Sequence, residues 1–243
     1  MPFAPLVAPL AKPVQVDPDQ CFALPETLGL DKARSLLLGR ARDSWRRPGD
    51  LESAAFFEEP TLVHLPVWRV AVHAEGFHVG VSMVSIPSGR NRTVPLPIPT
   101  GGTESRDVVV LSSGRRLFAS DPTPALVIPQ ERMVSLAHAE LSGLRAEPDV
   151  PGEQAERDSI ARVKSAMRPS NALYARAETT VKGRALVYVP LWWMRYRYDG
   201  EAVPGVGQEF FTAVDGTFGR VVGESHPSAF RAMVGKVKRL IAR

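Results

Sequence analysis

The chain has 243 residues, 44% hydrophobic and 23% charged, enough to bury a substantial core as one large domain or two small ones. Its single cysteine excludes an internal disulfide framework and any multi-cysteine zinc site. No window approaches the apolar length of a membrane-spanning helix, while a net charge of +4 and a pI near 9.5 keep anionic partners in view.

Residues 1–25 read as an extended arm, because prolines at 2, 5, 9, 13, 18 and 25 exclude helix and central strand. This opening has no basic start and no sustained apolar core, so a cytoplasmic location is expected. Cys21 has no cationic neighbour in sequence and reads as an unreactive thiol. Asp31 opens a helix reaching Arg47, with Ala33, Leu36, Leu37 and Ala41 at helical spacing and Pro48-Gly49 ending it. Thr61–Ala74 reads as a strand, Ala74-Glu75-Gly76 as a turn, and Phe77–Ile86 as the hairpin partner. In that partner Phe77, Val79, Val81 and Met83 alternate with His78, Gly80 and Ser82.

Residues 87–105, rich in Pro, Gly and Thr, read as an exposed loop. Asp107–Ser112 is a short buried strand, paired with Arg115–Ala119. Ala125–Ile128 is a further apolar piece, and Pro129-Gln130-Glu131 opens a helix running to Ser142. Pro148, Pro151 and Gly152 mark a seam over residues 145–153. A helix (154–168) and strands at 173–181, 184–198, 208–214 and 217–223 follow, with Asp215-Gly216 as a two-residue hairpin turn. Pro227–Ala242 is a closing helix.

The halves repeat. Leu62-Val63-His64-Leu65-Pro66-Val67-Trp68 returns as Leu186-Val187-Tyr188-Val189-Pro190-Leu191-Trp192, an offset of 124, and each run follows a helical pattern. The expected fold is therefore α+β: two diverged repeats, 26–146 and 147–243, each a helix packed on a small antiparallel sheet, with a C-terminal helix. Pro66 and Pro190 are expected at a sheet edge or bulge, because proline lacks the ladder donor.

The second half carries a resemblance. Leu186-Val187-Tyr188-Val189-Pro190-Leu191-Trp192-Trp193, Tyr196-Arg197-Tyr198-Asp199-Gly200 and Phe210-Phe211-Thr212-Ala213-Val214-Asp215-Gly216-Thr217-Phe218-Gly219-Arg220-Val221 follow a helix. That order resembles PepSY-type modules, a helix followed by a curled sheet. It is also similar to duplicated, uncharacterised bacterial and archaeal proteins in which a module with a Val-Pro-x-Trp strand often follows a zinc ribbon. The resemblance covers residues 154–223 well and 31–86 faintly. It implies a noncatalytic module that contacts other proteins, sometimes peptidases. The sequence departs from these proteins in lacking the ribbon cysteines, and no export signal of the kind usual for PepSY proteins is expected.

HExxH, GxSxG, a phosphate loop ending in Gly-Lys-Ser/Thr and a GxGxxG opening a helix are all absent from the sequence. His64, His73 and His78 share a predicted hairpin, but nine positions put His64 and His73 on opposite faces, so no metal site is expected. His138 and Glu140 would not face one way on a helix, and Glu52, Glu58 and Glu59 read as solvent carboxylates. Neither a catalytic residue nor a cofactor is expected.

Two surfaces stand out as partner-binding candidates. In the closing helix Phe230, Met233, Val234, Val237, Leu240 and Ile241 form a stripe opposite Arg231, Lys236, Lys238, Arg239 and Arg243. The stripe can pack on its own module, enter a partner's groove, or leave the basic face for an anionic membrane or nucleic acid. The second candidate is Trp193 with Arg195 and Arg197. Trp192, Tyr196 and Tyr198 alternate onto the face opposite Arg195 and Arg197, which argues against a base-stacking sheet. Arg90, Arg92, Arg115 and Arg116 make two basic loop tips. The functional expectation is a noncatalytic accessory or scaffold protein that binds another protein. The alternative is a basic module binding nucleic acid or an anionic membrane, and a third reading is an enzyme with its site between the modules.

Overall fold

The two repeated strands lie side by side at the centre of one sheet. The computed structural model describes residues 14–42, 51–86, 92–113, 122–168, 172–199 and 208–227. In chain order these form β1 (Cys21–Ala23), α1 (Leu30–Arg42), a single helical turn α2 (Leu51–Ala54), β2 (Ala55–Phe57), β3 (Thr61–Ile86) and β4 (Arg92–Leu111). Then come β5 (Val134–Ser135), β6 (Leu144–Arg145), α3 (Gly152–Ala166), β7 (Ala172–Tyr198), β8 (Gln208–Asp215) and β9 (Val221–Ser225). The fold is α+β, but all nine strands join one mixed sheet in place of the two small sheets expected. The C-terminal helix expected over Pro227–Ala242, beyond its first residue, and the whole strand expected over Arg115–Ala119 lie outside the described residues.

β3 and β7 pair antiparallel from Thr61 opposite Trp193 to Gly80 opposite Ala172. β4 flanks β3, and β8 then β9 flank β7. Short β6 and β1 add in parallel at Val63–His64 and Leu186–Tyr188. This placement overturns the expectation for the two prolines, which sit in the central strands. The flanking strand changes from β6 to β4 just at Pro66, and from β1 to β8 just at Pro190. The Pro66 carbonyl accepts from Ser112 N (3.0 Å) and the Pro190 carbonyl from Gly216 N (2.7 Å). A residue's N and C=O point to the same side of a strand, so each missing N–H faces a gap between flanking strands and no ladder bond is lost.

Leu65 lies opposite Val189, its own counterpart in the repeat. Contacts then recur in pairs about that point. Trp68 Nε1 donates to the Val150 carbonyl (2.8 Å) and Trp192 Nε1 to the Leu28 carbonyl (2.7 Å). The Ser112 carbonyl accepts from Asp149 and Val150 N–H, and the Gly216 carbonyl from Thr27 and Leu28 N–H. His64 O accepts from Ala146 N, and Tyr188 O from Leu24 N. Both helices bury one stripe at four-residue spacing, Ala33, Leu37 and Ala41 in α1 and Ala155, Ser159 and Val163 in α3. The helices are exchanged with respect to the sequence halves. α1 packs with Trp192, Met194, Tyr196 and Val214, whereas α3 packs with Trp68, Val70, Val72 and Val108. The opposite sheet face is a second core of Val63, Leu65, Val67, Val187, Val189, Leu191 and Trp193 under Leu24 and Leu126.

Further expectations change. The turn at Ala74-Glu75-Gly76 is absent: β3 runs straight through, and Gly76 pairs with both Gly102 and Ala177. A Cβ on Gly76 would come within 2.5 Å of the Met167 methyl, so this glycine admits the end of α3 onto the strand. Residues 92–105, expected as loop, belong to β4, and 173–181 with 184–198 form one strand bulged near Lys182. The helix expected over 129–142 is instead two 3-10 turns, Gln130–Arg132 and Leu136–His138, around β5. At the β8–β9 turn positive φ falls on Gly219 (69°), and the Asp215 carboxylate accepts from Thr217 N (2.7 Å).

Candidate functional site

Beyond Gly76 the sheet continues as a three-stranded arm made from the ends of β3, β4 and β7. Opposite residues of an antiparallel pair share a face. One face therefore carries Phe77, Val79, Val81 and Met83 of β3, Gly101, Pro99, Pro97 and Pro95 of β4, and Tyr174 and Arg176 of β7. Phe77 is 46%, Tyr174 53% and Met83 63% exposed. The rings of Phe77 and Tyr174 meet at 6.4 Å, tilted by 56°. At the base of the arm they line a shallow depression of about 730 Å³ with Glu75, Gly76, Gly102, Thr103, Arg176 and Glu178. Arg176 and Glu178 pair there at 2.8 Å.

The arm is poor in charge. Residues 77–103 contain no Asp or Glu and only two charged residues, Arg90 and Arg92, in a chain that is 23% charged. The other face exposes Val84, Leu96 and Ile98 as well. Over β3 and β4 the surface is apolar and nearly free of charge, with Arg176 and Glu178 of β7 at its base, and such a patch marks an interaction surface. Three alternate prolines, Pro95, Pro97 and Pro99, would destroy a central strand. Here their nitrogens all turn to one side, and the ladder to β3 is intact, so the missing donors lie on the outer edge. That edge is thereby blunted against strand addition, and contact with the arm is directed to its faces.

The partner-binding residues expected from sequence are placed differently. Trp193 is buried and stacks on Phe211 at 4.5 Å. Arg195 makes two hydrogen bonds to Glu58, at 2.8 and 3.1 Å, joining β7 to the segment after β2. Arg197 pairs with Asp199 at 3.2 Å. Glu58 is thus an ion-pair partner rather than a solvent carboxylate. Arg231, Lys236, Lys238, Arg239 and Arg243, with Arg90, Arg115 and Arg116, lie outside the described residues. Sequence patterning missed the arm because its prolines and glycines look like a loop; the alternation of Phe77, Val79, Val81 and Met83 was the one signal present.

A buried polar cluster sits beside the Leu65–Val189 pair. His64 Nε2 donates to the Ser142 carbonyl (2.9 Å), leaving Nδ1 buried with no partner among the described residues. Burial holds its pKa below the ordinary value, against the pull of the Ser142 carbonyl and Glu26. Arg145 donates to the Tyr188 hydroxyl (2.9 Å) and lies over its ring, while burial raises the Tyr188 pKa. Burial likewise raises the Cys21 thiol. His73 bonds Ser105 at 2.7 Å, well away from this cluster along β3. Among the described residues no three His, Cys, Asp or Glu side chains are grouped to hold a metal ion, and no helix is long and apolar enough to cross a membrane.

No protein-family model, curated protein or solved structure matches the chain.

Proposed function

We propose that this protein is a noncatalytic accessory or scaffold protein that holds another protein against the open face of its arm. The observation that carries the reading is the uncharged run of exposed Phe77 and Met83 with half-buried Val79 and Val81, beside Pro95, Pro97, Pro99 and Tyr174. Burying the β3 and β4 part of this face in a complex gains apolar contact without desolvating a charge. The rim of Glu75, Arg176 and Glu178 supplies polar contacts that set orientation.

Duplication of one helix-and-strand unit is part of this proposal. The paired hydrogen bonds of Trp68 and Trp192, and of Ser112 and Gly216, support it. The PepSY-type reading of residues 154–223 is supported by the order α3, β7, β8, β9, with the difference that α1 supplies the helix over β7 and β8.

Native co-purification with the full chain, beside the Phe77→Glu/Met83→Glu variant, tests the reading. A stoichiometric protein retained by the wild type and lost by an equally stable variant supports it. Retention by both refutes the arm as the contact. Recovery only of nucleic acid or anionic lipid, released by raised salt, replaces it with the basic-module alternative.

A further inference from the structure

The sheet treats its two long outer edges differently. The β4 edge is blunted by Pro95, Pro97 and Pro99, and nearer the core Arg162 donates to the Val109 carbonyl. The opposite edge is β7. Its partners away from β3 begin at Leu186, so among the described residues no strand covers it over Ala172–Ala185. Between its two bulges, from Tyr174 to Val181, β7 is regular and free of proline and glycine. A strand of this length with exposed backbone groups is a template for pairing.

That template is self-complementary. Placing a second β7 antiparallel with Ala177 opposite Ala177 sets Arg176 opposite Glu178 of the second copy, twice by symmetry. The same register sets Tyr174 opposite Thr180, and Leu173, 69% exposed, opposite Val181. On the α3 side its centre opposes Ala175, Ala177 and Thr179, small residues that leave room beside Lys164 and Arg168, which stand near the strand there. Arg176 and Glu178 are 71% and 76% exposed and already pair with each other, so both stand ready at the edge.

We propose that this protein forms a two-fold symmetric homodimer by antiparallel pairing of β7 over Tyr174–Val181, joining two arms into one six-stranded sheet. The proposal goes beyond the scaffold reading and depends on the edge of the arm, whereas that reading depends on its face. Size links the two. One exposed arm face is about 20 Å by 14 Å by strand geometry, roughly 300 Å² of flat area and well below the ~800 Å² that each side of a stable interface buries. The dimer doubles the continuous face.

Sedimentation equilibrium on the full chain tests the proposal. The wild type is expected to dimerise. Arg176→Glu and Glu178→Arg each set like charges opposite one another twice, and each is expected to weaken the dimer at least about tenfold, with an unchanged urea midpoint at concentrations low enough for every form to be monomeric. Mixing the two single variants restores opposite charges at both positions, so a one-to-one heterodimer is expected. Neither variant keeps the Arg176–Glu178 pair within its own chain, so this recovery reports pairing between copies. A wild type that stays monomeric, or a mixture that does, overturns the proposal. Dissociation by Met83→Glu but by neither charge variant overturns it in favour of a face-to-face dimer.

Discussion

Trp68 and Trp192 make the same contact at two places, so truncating each should cost the same. Trp→Phe removes the indole N–H and part of the ring. Each indole donates to the carbonyl two residues before a helix, Val150 before α3 and Leu28 before α1, and both rings are less than a tenth exposed. A partly or fully buried carbonyl left without its donor costs about 1–3 kcal/mol, and the space left by the smaller ring adds about 1 kcal/mol. Each single variant should therefore lose about 2–4 kcal/mol, a large part of the stability of an ordinary domain. Trp192 faces Leu62, six residues along β3 from Trp68, so the sites are about 20 Å apart and the two losses should add within about 0.5 kcal/mol. Urea unfolding followed by circular dichroism, with unchanged slope, measures all three variants. A full loss at one tryptophan beside a loss under about 0.5 kcal/mol at the other would refute the idea that the paired hydrogen bonds are energetically equivalent.

His64 gives a pH dependence of definite sign. Its folded pKa lies below 6.5, so the unfolded chain binds the proton more readily and stability should fall as pH drops below 6.5; the urea midpoint of the wild type should fall there relative to that of His64→Leu, which lacks the slope. Asp215 acts in the other direction. Burial raises its folded pKa above 3.8 against the Thr217 and Phe218 N–H bonds and Arg220, so ionising it costs stability as pH rises through that window. Asp215→Asn keeps the Oδ1 acceptor and should gain on the wild type as pH rises; a pH-independent difference would contradict the desolvation argument. Cys21, buried with its thiol toward the Asp17 carbonyl, should react with a thiol reagent in denaturant and resist it in the folded state.

Local pattern alone carried the α+β class, both helices and the repeated strands Leu62–Trp68 and Leu186–Trp192. Helical spacing of Ala33, Leu37 and Ala41 and unbroken apolar runs in the strands are properties of neighbouring residues, readable without a partner. What the neighbours become was set at long range. Gly76 looks like a turn residue, yet pairing on both sides and the Met167 methyl above it hold it in a strand. Pro95, Pro97 and Pro99 look like loop, and become strand because all three missing donors fall on the edge that no strand covers among the described residues. Trp193 and Arg195 look like a contact surface until Phe211 and Glu58, from other strands and turns, close over them. Periodicity reports which residues share a face; only pairing between distant segments decides which faces and edges are left to meet another molecule.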